Sequence, residues 1–424
     1  MEKRQLIQIP AEQVKKLEEI EAIRPDLKDY SVSKKVHLLL QEKLAELLKN
    51  KTSIQHKDRR LTGKWIEYIR EAIPLHTAST IALGVVRSSK EMIGKPFTRI
   101  LVSNDTERTW WGNWEDDVYA IGDFLIPWLK QSKNRESHFK KHKEKFLDIN
   151  AKAEKMLRLG LKGMKDNELL SEYKSFHKDT MKYHALSFDV DAMDIVLEDK
   201  IKIKLKGLLK AKYGEFSQKK TNDALGIVLT PSYVSYVTEL DIEIHKIALL
   251  IKKKSLKDFE KDEEVIREIE KLIRRFWWTE LSWSRRNIKT KEKVVEELKK
   301  MIKSGDNPGK EIESIRGEAA EADKNKRELR KDLGFDEDMD FYMDIFENYA
   351  VFHDYRKEAQ MKTMEALNTF LDEIGRRKGY RFEDLVWLWP DEIKGLLKGN
   401  GFDSQKVKDR KESFFSIVEE KKIE

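Results

Sequence analysis

The chain has 424 residues, enough for two or three domains, and no cysteine, which excludes disulfides, thiolate nucleophiles and cysteine-ligated zinc. Charged residues make up 38%, with 84 basic and 77 acidic side chains and a net charge of +7, a balance that permits nucleic-acid contact without demanding it. No apolar run is long enough to span a bilayer and no signal peptide opens the chain, so a cytoplasmic protein away from any membrane is expected.

Sparse proline and glycine beside abundant lysine and glutamate point to a mainly α protein with salt-bridged faces. Residues 4–9, RQLIQI, read as a short strand stopped by Pro10. A helix over 11–22 places Val14, Leu17 and Ile20 on one stripe. A turn over 24–30 leads to Ser31 or Ser33 as N-cap of a second helix, which runs to about residue 48. One strand and two helices cannot bury these faces alone.

This order and spacing resemble ribbon-helix-helix DNA-binding modules, in which two chains pair their strands into a ribbon that enters the major groove. The resemblance implies a homodimer joined through the N-terminal strand. Ile7 and Ile9 would then face the dimer core, and Arg4, Leu6 and Gln8 the bases. Backbone N–H groups around Ser31, Ser33 and Lys34 would hold a phosphate. The plainer reading of residues 1–50 is a dimerisation arm or a helical hairpin. Residues 51–63 are polar and basic and read as a linker.

Helices are expected at 64–73 and 75–93. A hairpin comes next: a strand over 97–102, a turn at 103–105, and a second strand over 108–114 bearing Trp110, Trp111 and Trp114. It leads into a helix over 115–129. Long helices then dominate, with breaks near 160–163, 214, 231 and 305–308. Asp336, Glu337, Asp338, Asp340 and Asp344 lack the mid-loop glycine of an EF-hand and read as the acidic start of a long helix. That helix ends at Gly379, with Arg376, Arg377 and Lys378 in its last turn. Pro390 then opens a short helix to residue 397.

The stretch 341–398 resembles a segment of the phosphoenolpyruvate-synthase-like phosphotransferases, the group that includes rifampicin phosphotransferase. The matching residues are Asp354 and Arg356, then Gly375, Arg376 and Arg377, then Glu383, Asp384, Leu385 and Leu388, then Asp391, Glu392 and Ile393. Further upstream, Leu229, Thr230, Pro231, Ser232, Ser235 and Glu239 are similar to the family's approach to an acid-bearing helix, although the threonine and proline abut here. Phe276-Trp277-Trp278 is similar to its aromatic helix start. The likeness spans about residues 65–424. It implies the helical, acceptor-binding middle region of such an enzyme. The sequence holds no T-S-H-x-A phosphohistidine loop and no ATP-grasp domain. The resemblance therefore implies a ligand-binding protein that is not catalytic alone, with ATP-grasp and phosphohistidine domains supplied by separate chains as a split phosphotransferase. The rival expectation is a ribbon-helix-helix transcriptional regulator whose helical body senses a ligand or drives oligomerisation.

The side chains singled out for a ligand pocket are Trp110, Trp111, Trp114, Trp277, Trp278 and Arg356, suited to a large flat or apolar molecule. The competing reading is ordinary packing for the tryptophans, with Trp283, and an inter-helix salt bridge for Arg356. His138 and His142, in HFKKH, have metal-sharing spacing, but their lysine neighbours suggest a solvated face. His177 and His184, seven apart, read the same way. Asp189, Asp191 and Asp194 have the chemistry to hold a divalent cation, but the favoured reading is that they cap and solubilise a helix start. No cofactor, metal or catalytic residue is expected.

Overall fold

The computed structural model describes residues 64–104, 107–214, 217–305 and 307–419. The strand, helices and DNA-facing residues expected within 1–50, and the linker over 51–63, lie outside the described residues. From Lys64 onward the chain forms one unit.

Among the described residues the fold is mainly α: thirteen helices and one four-stranded antiparallel sheet of order β1-β3-β2-β4. The elements are β1 (Trp65–Glu71), α1 (Leu75–Ile93), β2 (Arg99–Asn104), β3 (Arg108–Trp114), α2 (Glu115–Leu129), α3 (Ser132–Arg158), α4 (Asp166–Tyr213) and α5 (Gln218–Leu229). Next come α6 (Tyr236–Lys253), α7 (Glu263–Phe276), α8 (Lys291–Ser304), α9 (Pro308–Leu333), α10 (Glu337–Lys378), α11 (Phe382–Leu385), α12 (Pro390–Leu397), α13 (Ser404–Glu412) and β4 (Phe414–Glu419). No described helix is long and apolar enough to cross a membrane.

The helix expected over 64–73 is a strand. Trp65, Ile66, Tyr68 and Ile69 have helix-like spacing, but β1 pairs with β3 along its whole length, so both its faces find apolar neighbours. The hairpin forms with its first strand starting at Arg99, and β4 adds to the free side of β2. One sheet face is buried: Ile100, Val102, Trp111 and Val418 all enter the main core.

That core lies between the sheet and helices α1 to α4 and α10. The two longest helices, α4 with 48 residues and α10 with 42, form its axis. They run antiparallel, as their polar ties show. Arg377 and Lys378 reach Asp166, His353 reaches Asp194, and Lys204 reaches Asp336. Helices α1 and α2 approach α4 where glycine permits. A Cβ on Gly84 would stand 2.5 Å from the Met181 carbonyl, and one on Gly122 2.5 Å from Val196. The far half of α4 packs on α5 and on Leu333 and Met339, and α6 to α8 build a core of their own.

The long helix starts as its acidic cluster suggests. Asp336 is the N-cap and accepts from the Met339 N–H at 2.9 Å. It ends at Gly379, whose φ of 73° is the left-handed conformation that glycine adopts without strain. Pro390 is the first residue of α12.

Candidate functional site

A cleft of about 100 Å³ opens between the buried face of the sheet and the middle of α4 and α10. Strand alternation supplies its first wall: Tyr68 and Arg70 from β1, Trp111 and Asn113 from β3. Helix α4 adds Ser187, Phe188 and Asp191, α10 adds Arg356 and Gln360, and the loop after α7 adds Trp283. The aromatic walls are braced. The Trp111 indole N–H donates to Asn113 Oδ1 at 2.9 Å, and its ring lies 5.7 Å from that of Phe188. Glu71, at the end of β1, holds the Trp283 loop by accepting from the Trp283 N–H at 2.8 Å and the Ser284 hydroxyl at 3.1 Å.

Arg356 anchors the polar side. Its guanidinium pairs with Asp191, donates to the Ser187 carbonyl at 3.4 Å, and donates to His353 Nδ1 at 3.0 Å. These partners fix the His353 tautomer, because Nδ1 accepts and the protonated Nε2 is left to donate to Asp194. Burial works against the charge on Arg356, but Asp191 and Asp194 outweigh it and hold the guanidinium protonated. Burial first, and Asp191 second, push the Tyr68 hydroxyl above its ordinary value, so it stays a neutral donor at the cleft wall. The cleft thus offers aromatic faces, neutral amides and hydroxyls, and two guanidinium groups. At about 100 Å³ the hollow is too small for a large flat ligand, which corrects that expectation: the cleft takes one small group, a single ring or a short chain.

The six residues singled out for a pocket do not converge. Trp111 and Arg356 line the cleft. Trp110 and Trp114 alternate to the opposite sheet face, where Trp114 meets Trp65 edge-on at 5.1 Å and lies 4.6 Å from the Arg99 guanidinium. Trp278 lines a second hollow of about 230 Å³ on another side of α10, and Trp277 packs beside it against Met361 and Met364. This second hollow carries Glu239, Asp354 and Glu358, with Arg275. Asp354 accepts from the Tyr236 N–H at 2.8 Å and so ties the first turn of α6 to α10. Glu347 does the same for Ser232. Burial raises the Asp354 carboxyl above the usual carboxylate range, against the pull of the Tyr236 N–H. Tyr68, Arg70, Asn113 and Gln360 were missed as cleft residues. Reading 65–71 as a strand paired with β3 is the signal that would have placed the first two.

The histidines correct the expectation of solvated faces. His138 and His142 belong to the buried stripe of α3, continued by Phe146 and Ile149, while Lys140, Lys141 and Lys143 point outward. Asp189, expected to cap a helix start, sits fully buried in the interior of α4. His142 Nε2 lies 2.8 Å from Asp189 Oδ2, and His138 Nε2 lies 2.8 Å from the Tyr349 hydroxyl. Burial, then the neighbouring His142, lower the His138 imidazole to about 3. His177 and His184 are likewise buried, with His177 Nε2 3.1 Å from the Thr80 hydroxyl. Compared with known proteins, the chain matches no family model and no curated protein.

Proposed function

We propose that residues 64–424 form a binding scaffold for a small acceptor molecule, akin to the middle region of phosphoenolpyruvate-synthase-like phosphotransferases and not catalytic alone. The observation that carries this reading is the cleft, where Arg70, Arg356, Trp111 and Trp283 face one hollow between the sheet and the two long helices. A ring or short chain bearing an anionic or hydroxyl group suits these walls: the guanidinium groups take the charge and the indoles the flat face. Phosphoryl transfer then falls to separate ATP-grasp and phosphohistidine-domain chains.

Tryptophan fluorescence and calorimetry with a panel of small aromatic acids and phenols test the binding. Quenching by one member, lost in Arg356→Lys, is the expected result. No response from the wild type to any member removes the cleft as a site. Mixing the chain with ATP and phosphoenolpyruvate should leave the bound acceptor unphosphorylated; turnover by the chain alone overturns the non-catalytic part.

The rival reading, a dimeric DNA-binding regulator, stands on the sequence pattern alone: the alternating segment 4–9 and the helix expected after Ser31 or Ser33. A salt-dependent gel shift that selects one DNA sequence, and that disappears with Arg4→Ala, would favour it over the acceptor scaffold.

A further inference from the structure

We propose that His138, His142 and Asp189 bind a zinc ion that clips α3, α4 and α10 together, with the Tyr349 oxygen as fourth donor. The ligand atoms of the first three residues lie within 4.8 Å of one another, and all three residues are buried. Among the described residues no other set of three histidines and acids shares this geometry.

Hydrogen-bond accounting points to a cation. His142 Nδ1 faces the His138 backbone carbonyl at 3.0 Å, and a carbonyl can only accept, so the proton sits on Nδ1. In the neutral ring that leaves the Nε2 lone pair aimed at Asp189 Oδ2, 2.8 Å away. Two acceptors then face each other in a dry interior. A metal ion between them removes the conflict, and the Nδ1–carbonyl bond is the outer contact that orients a ligating imidazole. Asp189 Oδ1 is a second sign: it is buried and has no hydrogen-bond partner. An orphaned carboxylate oxygen costs stability unless a cation or donor sits beside it.

The donor set selects the metal. Two imidazoles suit zinc and its neighbours, whereas calcium and magnesium ask for oxygen ligands throughout. Three protein ligands plus the phenol oxygen of Tyr349, 2.8 Å from His138 Nε2, make a closed four-coordinate site with no position kept for substrate. That is the arrangement of a structural zinc. It stands independently of any ligand in the cleft.

The test uses the full chain without an affinity tag, purified free of chelator. Elemental analysis should find about one zinc per chain. After stripping, cobalt(II) should restore one equivalent with the intense visible bands of a four-coordinate site. Zinc should raise the melting temperature of the stripped protein. Tyr349→Phe should keep the stoichiometry but lower the affinity at least tenfold. Asp189→Asn should abolish the cobalt bands; if it fails to fold, the wild-type cobalt spectrum still decides. A folded wild type that gives only the spectrum of free aqueous cobalt, with the same melting temperature in zinc and in chelator, overturns the proposal. So does a nitrogen NMR spectrum with His142 doubly protonated and unchanged by zinc, because a proton then occupies the place assigned to the metal.

Discussion

The two hollows beside α10 share one short segment of that helix, yet they differ in charge and in their use of it. Asp354 and Arg356 are two residues apart, which is about 200° around a helix. Arg356 therefore faces the sheet and the cleft, while Asp354 faces α6 and the acidic hollow. In the cleft, charge is compensated within the protein by Asp191 and faces open space. In the second hollow, the carboxylate is committed to a backbone N–H of a neighbouring helix. A pair that looks like one motif in sequence does two jobs: one side chain lines a cleft and the other pins a helix.

Removing Arg356 should break the contrast most severely. Arg356→Ala strands Asp191 in a partly buried setting and should cost about 3 kcal/mol in denaturant unfolding. It should also abolish ligand-induced fluorescence change in the cleft. Asp354→Ala leaves the Tyr236 N–H without its acceptor and should cost about 1–2 kcal/mol, with the cleft's binding intact. A loss of cleft binding in that variant would show that the two sides are not separate.

Asp354→Asn sharpens the point through pH. The folded carboxyl is raised above its unfolded value, so the folded state holds the proton more tightly than the unfolded state. The stability contributed by that proton is present at low pH and is lost as pH rises from about 4 through the folded value. Asp354→Asn keeps an oxygen acceptor for Tyr236 and cannot ionise. Its stability relative to wild type should therefore improve as pH rises through this window, measured by parallel urea titrations. A difference that does not change with pH would show that burial leaves this carboxyl unperturbed. The smallest effect belongs to Arg275→Ala. Its partner Glu239 sits on the rim of the acidic hollow and both side chains are more than a third exposed, so the change should stay within about 0.5 kcal/mol.

Much of the helical framework was legible in the sequence because its punctuation is chemical. Gly379, Pro390 and the acidic run after Asp336 mark helix ends by backbone conformation and by capping. The expected bounds 75–93 and 115–129 agree with the structure. Strands fared worse where tertiary pairing decides. The WIEYIRE segment has helical spacing and becomes β1 only because β3 lies beside it. FFSIVE, only six residues long and placed after a charged helix, becomes β4 because β2 has a free edge. For the cleft, the tryptophans were visible, but grouping them ignored the alternation of a strand, which sends Trp110 and Trp114 away from Trp111. The lysines around His138 and His142 concealed a buried stripe, since a charge count does not see which way a helix is turned.

The pairing of β4 with β2 has a consequence for how the molecule is assembled. These two strands are separated by about three hundred residues of chain, so the last strand of the sheet emerges from the ribosome after nearly everything it must meet. During synthesis the β1–β3–β2 layer waits with its β2 edge bare. Until β4 arrives, that unfinished edge is the place where a half-made chain is most open to pairing with the wrong strand.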